Sequence, residues 1–177
     1  MTLTEEDDFK SRQSLLEEVV AFAGLELQSE DCAIRAAVHS RGDRGGLARI
    51  INERYYQFVV WRAALRKWHA EVERGTHDLQ LSLGDDRHIF EMKCWRGEEG
   101  SDWPNIQRDI DKLRARPTCQ GYVMVFSYNP LPDTSGNIAF LRENLKGVSW
   151  PQADYRFRTE DKEGQPIEFW VAAWCCL

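Results

Sequence analysis

The stretch His77 to Trp95, HDLQLSLGDDRHIFEMKCW, constrains the fold more than any other part of the chain. Two runs of alternating residues flank Gly84-Asp85-Asp86, the pattern of a tight β-hairpin. Side chains alternate between the two faces of a strand. Leu79, Leu81 and Leu83 therefore share one face, and Phe90, Met92 and Cys94 share the matching face of the second strand. Asp78, Glu91 and Lys93 fall on the other face. Gly84-Asp85 as the loop suits a II′ turn and sets Asp78 opposite Glu91, whereas Asp85-Asp86 as the loop sets Asp78 opposite Lys93. Either register gathers two carboxylates and an ammonium within roughly 4.5–8 Å of one another, measured between Cβ atoms. Such a cluster can hold a divalent metal with a cation beside it. The plain alternative is an exposed cross-strand ion pair worth ~0.2–1 kcal/mol.

A length of 177 residues suits one domain with its own core, and seven tryptophans and eight phenylalanines are available to fill it. No run approaches the ~18 apolar residues of a membrane span. The acidic start, MTLTEEDDFK, has no signal-peptide pattern, so a cytoplasmic location is expected. Five cysteines without C-x-x-C spacing read as reduced thiols, and four scattered histidines form no zinc motif. The net charge of −6 does not advertise a nucleic-acid binder, but the charge is unevenly placed. Acids dominate from Glu5 to Asp31 and bases from Arg41 to Lys67. The basic segment is either a substrate-facing side or a solvated helix beside a complementary neighbour. The Arg41-Gly-Asp43 triplet does not imply adhesion in a chain of this kind.

Along the chain, Thr4 caps a first helix that ends near Gly24, and Ser29 caps a short second helix to about His39. Ser40 to Gly46 is a turn. The 3.6-residue recurrence of Leu47, Ile50, Ile51, Tyr55, Phe58, Leu65, Trp68 and Val72 predicts one long helix from Leu47 to Glu73, ended by Gly75. After the hairpin and a polar loop, Arg96 to Asp102, a helix starts near Pro104 with Ile106, Ile110 and Leu113 on one face. Gly121 to Tyr128 is apolar enough for a central strand, parallel to the Glu91 strand by a right-handed crossover. A helix over Ile138–Leu145 and a hairpin of Ala153–Arg158 with Ile167–Trp174 complete the order.

Asp78 followed by Glu91-x-Lys93 on a hairpin, inside an α-β-β-α-β order from Leu47 to Tyr128, resembles the PD-(D/E)xK phosphodiesterase superfamily, the restriction-endonuclease-like nucleases. His77 stands where many members have proline. The resemblance implies an α/β (α+β) fold: a mixed central sheet with a leading β-hairpin, flanked by helices, as a single nuclease-like domain over 1–177 with 1–46 as a helical N-terminal extension. It implies that Asp78 and Glu91, with the Met92 carbonyl, hold Mg²⁺ (or Mn²⁺), and that Lys93 acts on the attacking water or the phosphate. Glu53 is the acid that such nucleases often add from the preceding helix. Gln107, with Asp111 and Lys112 as lesser candidates on the helix after Lys93, and Arg54 beside Glu53 are the substrate-binding candidates. The expected partner is nucleic acid, DNA first, with a homodimer or partner subunit for cutting both strands and no membrane. The competing expectation is a catalytically silent subunit of a DNA-processing or antiviral defence complex. A toxin or its immunity protein is a third.

Overall fold

Every second residue of the central strands is buried against a different helical layer, so one sheet divides two cores. The computed structural model describes residues 5–50, 52–72, 77–95, 103–116, 119–131 and 136–176. The expected cap Thr4, the terminator Gly75, Glu73 and the loop 96–102 lie outside them. The elements are α1 (Glu5–His39), a 3₁₀ turn (Leu47–Arg49), α2 (Glu53–Ala64), β1 (His69–Val72), β2 (Leu79–Leu83), β3 (Asp86–Cys94), α3 (Trp103–Arg114), β4 (Gln120–Pro130), α4 (Gly136–Asn144), β5 (Val148–Glu160) and β6 (Pro166–Cys176). Six strands form a mixed sheet in the order β1-β2-β3-β4-β6-β5. Among the described residues, β3 and β4 alone are parallel neighbours, and α3 lies between them in sequence. Phe90, Met92, Tyr122, Met124 and Phe126 pack with α1 and α2, while Ile89, Val123, Val125, Trp170 and Trp174 pack with α3 and α4. Among the described residues no helix is long and apolar enough to cross a membrane.

Two expectations are corrected. The two N-terminal helices are one, α1. Gly24 does not end it; a Cβ there would overlap the Tyr155 ring, so the glycine admits β5 against the helix. Beyond Gly24 the helix keeps burying residues: Leu27 is in the core, and buried Asp31 accepts hydrogen bonds from the Leu47 amide at 2.7 Å and from the Thr159 hydroxyl. Within α1, Leu15, Leu16, Val19, Val20, Ala23 and Leu27 join the core that α2 also lines.

The long helix over Leu47–Glu73 is also broken up. Asn52 caps α2 by accepting from the amides of Arg54 and Tyr55, and the helix stops at Ala64. His69–Val72 then pairs with β2 as an antiparallel edge strand, so the hairpin is the inner part of a three-stranded meander. Trp61 Nε1 donates to the Ala70 carbonyl at 3.1 Å, closing the α2–β1 corner. Apolar spacing alone could not separate helix from strand over so short a run.

The basic segment's alternatives are also decided in part. Arg62 pairs with Glu26 and Glu30, Arg66 with Glu26 at 2.9 Å, and Lys67 with Glu18 at 2.6 Å. These bases are spent on the acidic helix α1.

Candidate active site

The hairpin closes as Leu83 opposite Asp86 and Leu79 opposite Phe90, the register of the Gly84-Asp85 loop. Gly84 has φ +60°, the backbone that the first position of a primed turn requires. Extending the ladder by one pair sets Asp78 across from Glu91. Asp78 Oδ2 accepts the Met92 amide at 2.6 Å. The side chain thereby continues the strand pairing that the backbone of β2 has not yet begun.

Glu91 lies under α3 and is only 3% exposed. Its Oε1 accepts from Lys112 Nζ at 2.7 Å and meets His77 Nδ1 at 3.1 Å. The far nitrogen of His77, Nε2, faces the Arg116 guanidinium, which can only donate. His77 Nε2 is therefore the acceptor, and Nδ1 carries the proton that it gives to Glu91.

Lys93 is the last residue but one of β3. Its Nζ is 3.2 Å from Glu53 Oε1 and 3.4 Å from Asp109 Oδ2. The second Glu53 oxygen accepts the Cys94 amide at 3.2 Å, so the first residue of α2 grips the end of β3. A cleft of about 400 Å³ opens here, lined by Glu53, Lys93, Cys94, Asn105, Arg108 and Asp109. Asp78 and Glu91 are not among its lining residues; Glu91 lies two residues back along β3, and Asp78 just before β2.

Burial raises the Asp78 carboxyl to about 6, against the pull of the Met92 amide and with the help of neighbouring Glu91. Burial opposes the Lys93 charge, but Glu53 and Asp109 more than offset it, so Lys93 is held above its usual value. Asp109 is raised, first by burial and then by Glu91, with Lys93 and Lys112 opposing.

Four carboxylates, Asp78, Glu91, Glu53 and Asp109, thus lie among four cations, Lys93, Lys112, Arg116 and Arg108. Among the described residues no three His, Cys, Asp or Glu side chains converge as a metal cage. Mg²⁺ does not demand one: it is commonly held by one or two carboxylates, with waters and substrate phosphates filling its shell. Asp78 and Glu91 each commit one oxygen to the bonds above and keep a second. This hard oxygen set fits Mg²⁺ or Mn²⁺ and does not suit zinc.

The structure brings together Asp78, Glu91, Lys93 and Glu53. It does not bring Gln107 to them. Gln107 bonds the Lys146 backbone in both directions, at 3.0 and 2.9 Å, and also Asp111. At about 100° per residue, Gln107 and Asp111 lie on one flank of the buried Ile106–Ile110–Leu113 stripe, while Asp109 and Lys112 lie on the other. Arg54 is exposed on the first turn of α2 and is not among the cleft's lining residues. The sequence reading passed over Asp109 and Arg116, treated His77 only as a substitute for proline, and ranked Lys112 low. The spacing Asp109, Lys112, Arg116 was the available signal, but it pointed nowhere until the rotation of α3 was known.

No family model matches this chain, and no curated protein or solved structure matches it significantly.

Proposed function

We propose that this chain is a divalent-metal-dependent nuclease of the PD-(D/E)xK type, with a restriction-endonuclease-like core, that hydrolyses phosphodiester bonds of DNA in the cytoplasm. The observation that carries the reading is the convergence of Asp78, Glu91 and Lys93 from adjacent strands, with Lys93 turned into a cleft between α2 and α3. Asp78 and Glu91 would hold Mg²⁺ or Mn²⁺, which when bound polarises a phosphoryl oxygen and acidifies a water. The chain's own groups do the rest. Lys93 stays an ammonium at neutral pH, because Glu53 and Asp109 hold its proton. It therefore serves as a fixed positive charge for the phosphoryl oxygens rather than as a base. Glu53 positions Lys93 while anchoring the end of β3. His77 and Lys112 fix the Glu91 carboxylate from two sides.

The test is cleavage of labelled DNA with Mg²⁺ or Mn²⁺, alongside calorimetric titration of the metal. Asp78→Ala and Glu91→Ala should lose both metal and cleavage. Variants that cut like wild type would sink the reading.

A second reading has its own support. Glu91 is buried with Lys112 and His77 already on it, and Lys93 is held between two acids. A cluster neutralised from within suits a catalytically silent nuclease-fold subunit of a DNA-processing or antiviral defence complex. Wild-type protein that binds no metal would favour it.

A further inference from the structure

The flank of α3 beside the Lys93 cleft is graded from floor to rim. At about 100° per residue, Asp109 stands nearest the buried Ile106–Ile110–Leu113 stripe, Asn105 and Lys112 come next, and Arg108 is turned furthest out. Exposure agrees: Asp109, Asn105 and Lys112 are half-buried, and Arg108 is exposed. Asp109 is engaged with Lys93 at 3.4 Å, and Lys112 with Glu91 at 2.7 Å. Among the described residues, the Asn105 carboxamide and the Arg108 guanidinium have no hydrogen-bond or ion-pair partner, although both line the cleft that holds Lys93.

The remaining charges of the cleft are committed to one another. Glu53 accepts from the Cys94 amide and from Lys93, and Lys93 is held between Glu53 and Asp109. A ligand in this cleft therefore meets an uncommitted guanidinium beside a neutralised ammonium. Arg108 offers five N–H donors in a planar fork and no acceptor, and Asn105, one turn before it, adds two more donors and an oxygen. A planar fork matches a pair of phosphate oxygens, which a point charge does not.

We propose that Arg108 is the substrate-binding arginine of this cleft: it takes two oxygens of a backbone phosphate of the nucleic-acid strand, with Asn105 as a second donor to the same nucleotide. The contact deepens the nuclease reading and rests on it for the identity of the strand; binding is measured apart from cleavage, so the two can fail separately. Substrate contact on α3 then falls to the flank that carries Asp109 and Lys112, and not to Gln107, which is occupied with the Lys146 backbone.

The test is fluorescence anisotropy of a labelled single-stranded DNA oligonucleotide at about 0.1 M salt, in EDTA and again in Ca²⁺, which takes oxygen ligands as Mg²⁺ does. Each variant's fold is checked by circular dichroism. Wild type should bind in at least one of the two conditions. There, Arg108→Ala should weaken binding by about tenfold and Asn105→Ala by about threefold. Arg108→Lys should recover only part, because it keeps the charge and loses the fork. Arg158→Ala removes the same charge from exposed Arg158 on β5, the opposite edge strand of the sheet. It should bind as wild type does, since β5 lies three strand spacings from β3, roughly 14 Å, beyond the screening length of about 10 Å. Equal losses in Arg108→Ala and Arg158→Ala would overturn the contact in favour of general attraction, and wild-type affinity in Arg108→Ala or no binding by wild type would overturn it outright. Inorganic phosphate that competes through Arg108 while the oligonucleotide ignores the substitution would overturn the strand in favour of a small phosphate ester. Cleavage by Arg108→Ala with an unchanged KM would remove the contact and keep the nuclease. Binding as expected, with no cleavage under Mg²⁺ or Mn²⁺, would remove the nuclease reading and leave the contact standing.

Discussion

Replacing Asp78 by asparagine should make the metal-free protein more stable at pH 8 while removing one of the two carboxylates proposed to hold metal. Burial lifts the folded Asp78 carboxyl to about 6 from 3.8. Between those two values the folded state holds a proton that the unfolded state has released, so stability falls as pH rises through this window. Below about pH 3 both states are protonated and the penalty vanishes; above the folded pKa it is fully present. At about 1.36 kcal/mol per pKa unit the ceiling is near 3 kcal/mol. Asp78 is only partly buried, and screening by solvent cuts this to about 1–2 kcal/mol. Asparagine keeps an oxygen for the Met92 amide, so the hydrogen bond at 2.6 Å survives. The assay is urea denaturation in EDTA of wild type and Asp78→Asn at pH 3 and pH 8. The variant should match wild type at about pH 3 and exceed it by about 1–2 kcal/mol at pH 8. Added Mg²⁺ should then stabilise wild type by mass action and leave the variant unmoved. A variant weaker than wild type at pH 8, or a difference that does not change with pH, would refute the argument.

Lys93→Ala should cut turnover by about 10²–10³-fold, as losing a transition-state charge does, with metal binding retained by calorimetry. Lys93→Arg should restore only part of the rate, because the broader guanidinium does not fit between Glu53 and Asp109 as the ammonium does. Gly24→Ala should destabilise the fold by about 1–3 kcal/mol in urea melts, since the methyl meets the Tyr155 ring; an unchanged midpoint would mean that β5 can step back at no cost. Asn52→Ala should cost about 1 kcal/mol by the same assay, by freeing the two amides that the cap binds.

The sequence alone determined the hairpin and its faces. Either candidate loop, Gly84-Asp85 or Asp85-Asp86, leaves the leucines on one side and the carboxylates and Lys93 on the other; the structure takes the first. It also determined α3 and the central β4, because Ile106, Ile110 and Leu113 repeat at a helical period and GYVMVFSY admits no exposed face. Local rules of this kind need only neighbours within a few residues. The break between α2 and β1 and the continuity of α1 needed the tertiary structure. Gly24 reads as a terminator until Tyr155 is placed against it, and His69–Val72 reads as helix until β2 offers a ladder. The partners of the candidate site were decided the same way. Whether Gln107 or Asp109 faces Lys93 depends on how the Ile106–Ile110–Leu113 stripe settles between β3, β4 and β6, a rotation that no residue of α3 encodes by itself. The three candidate residues were legible in the hairpin, but their neighbours were chosen by packing.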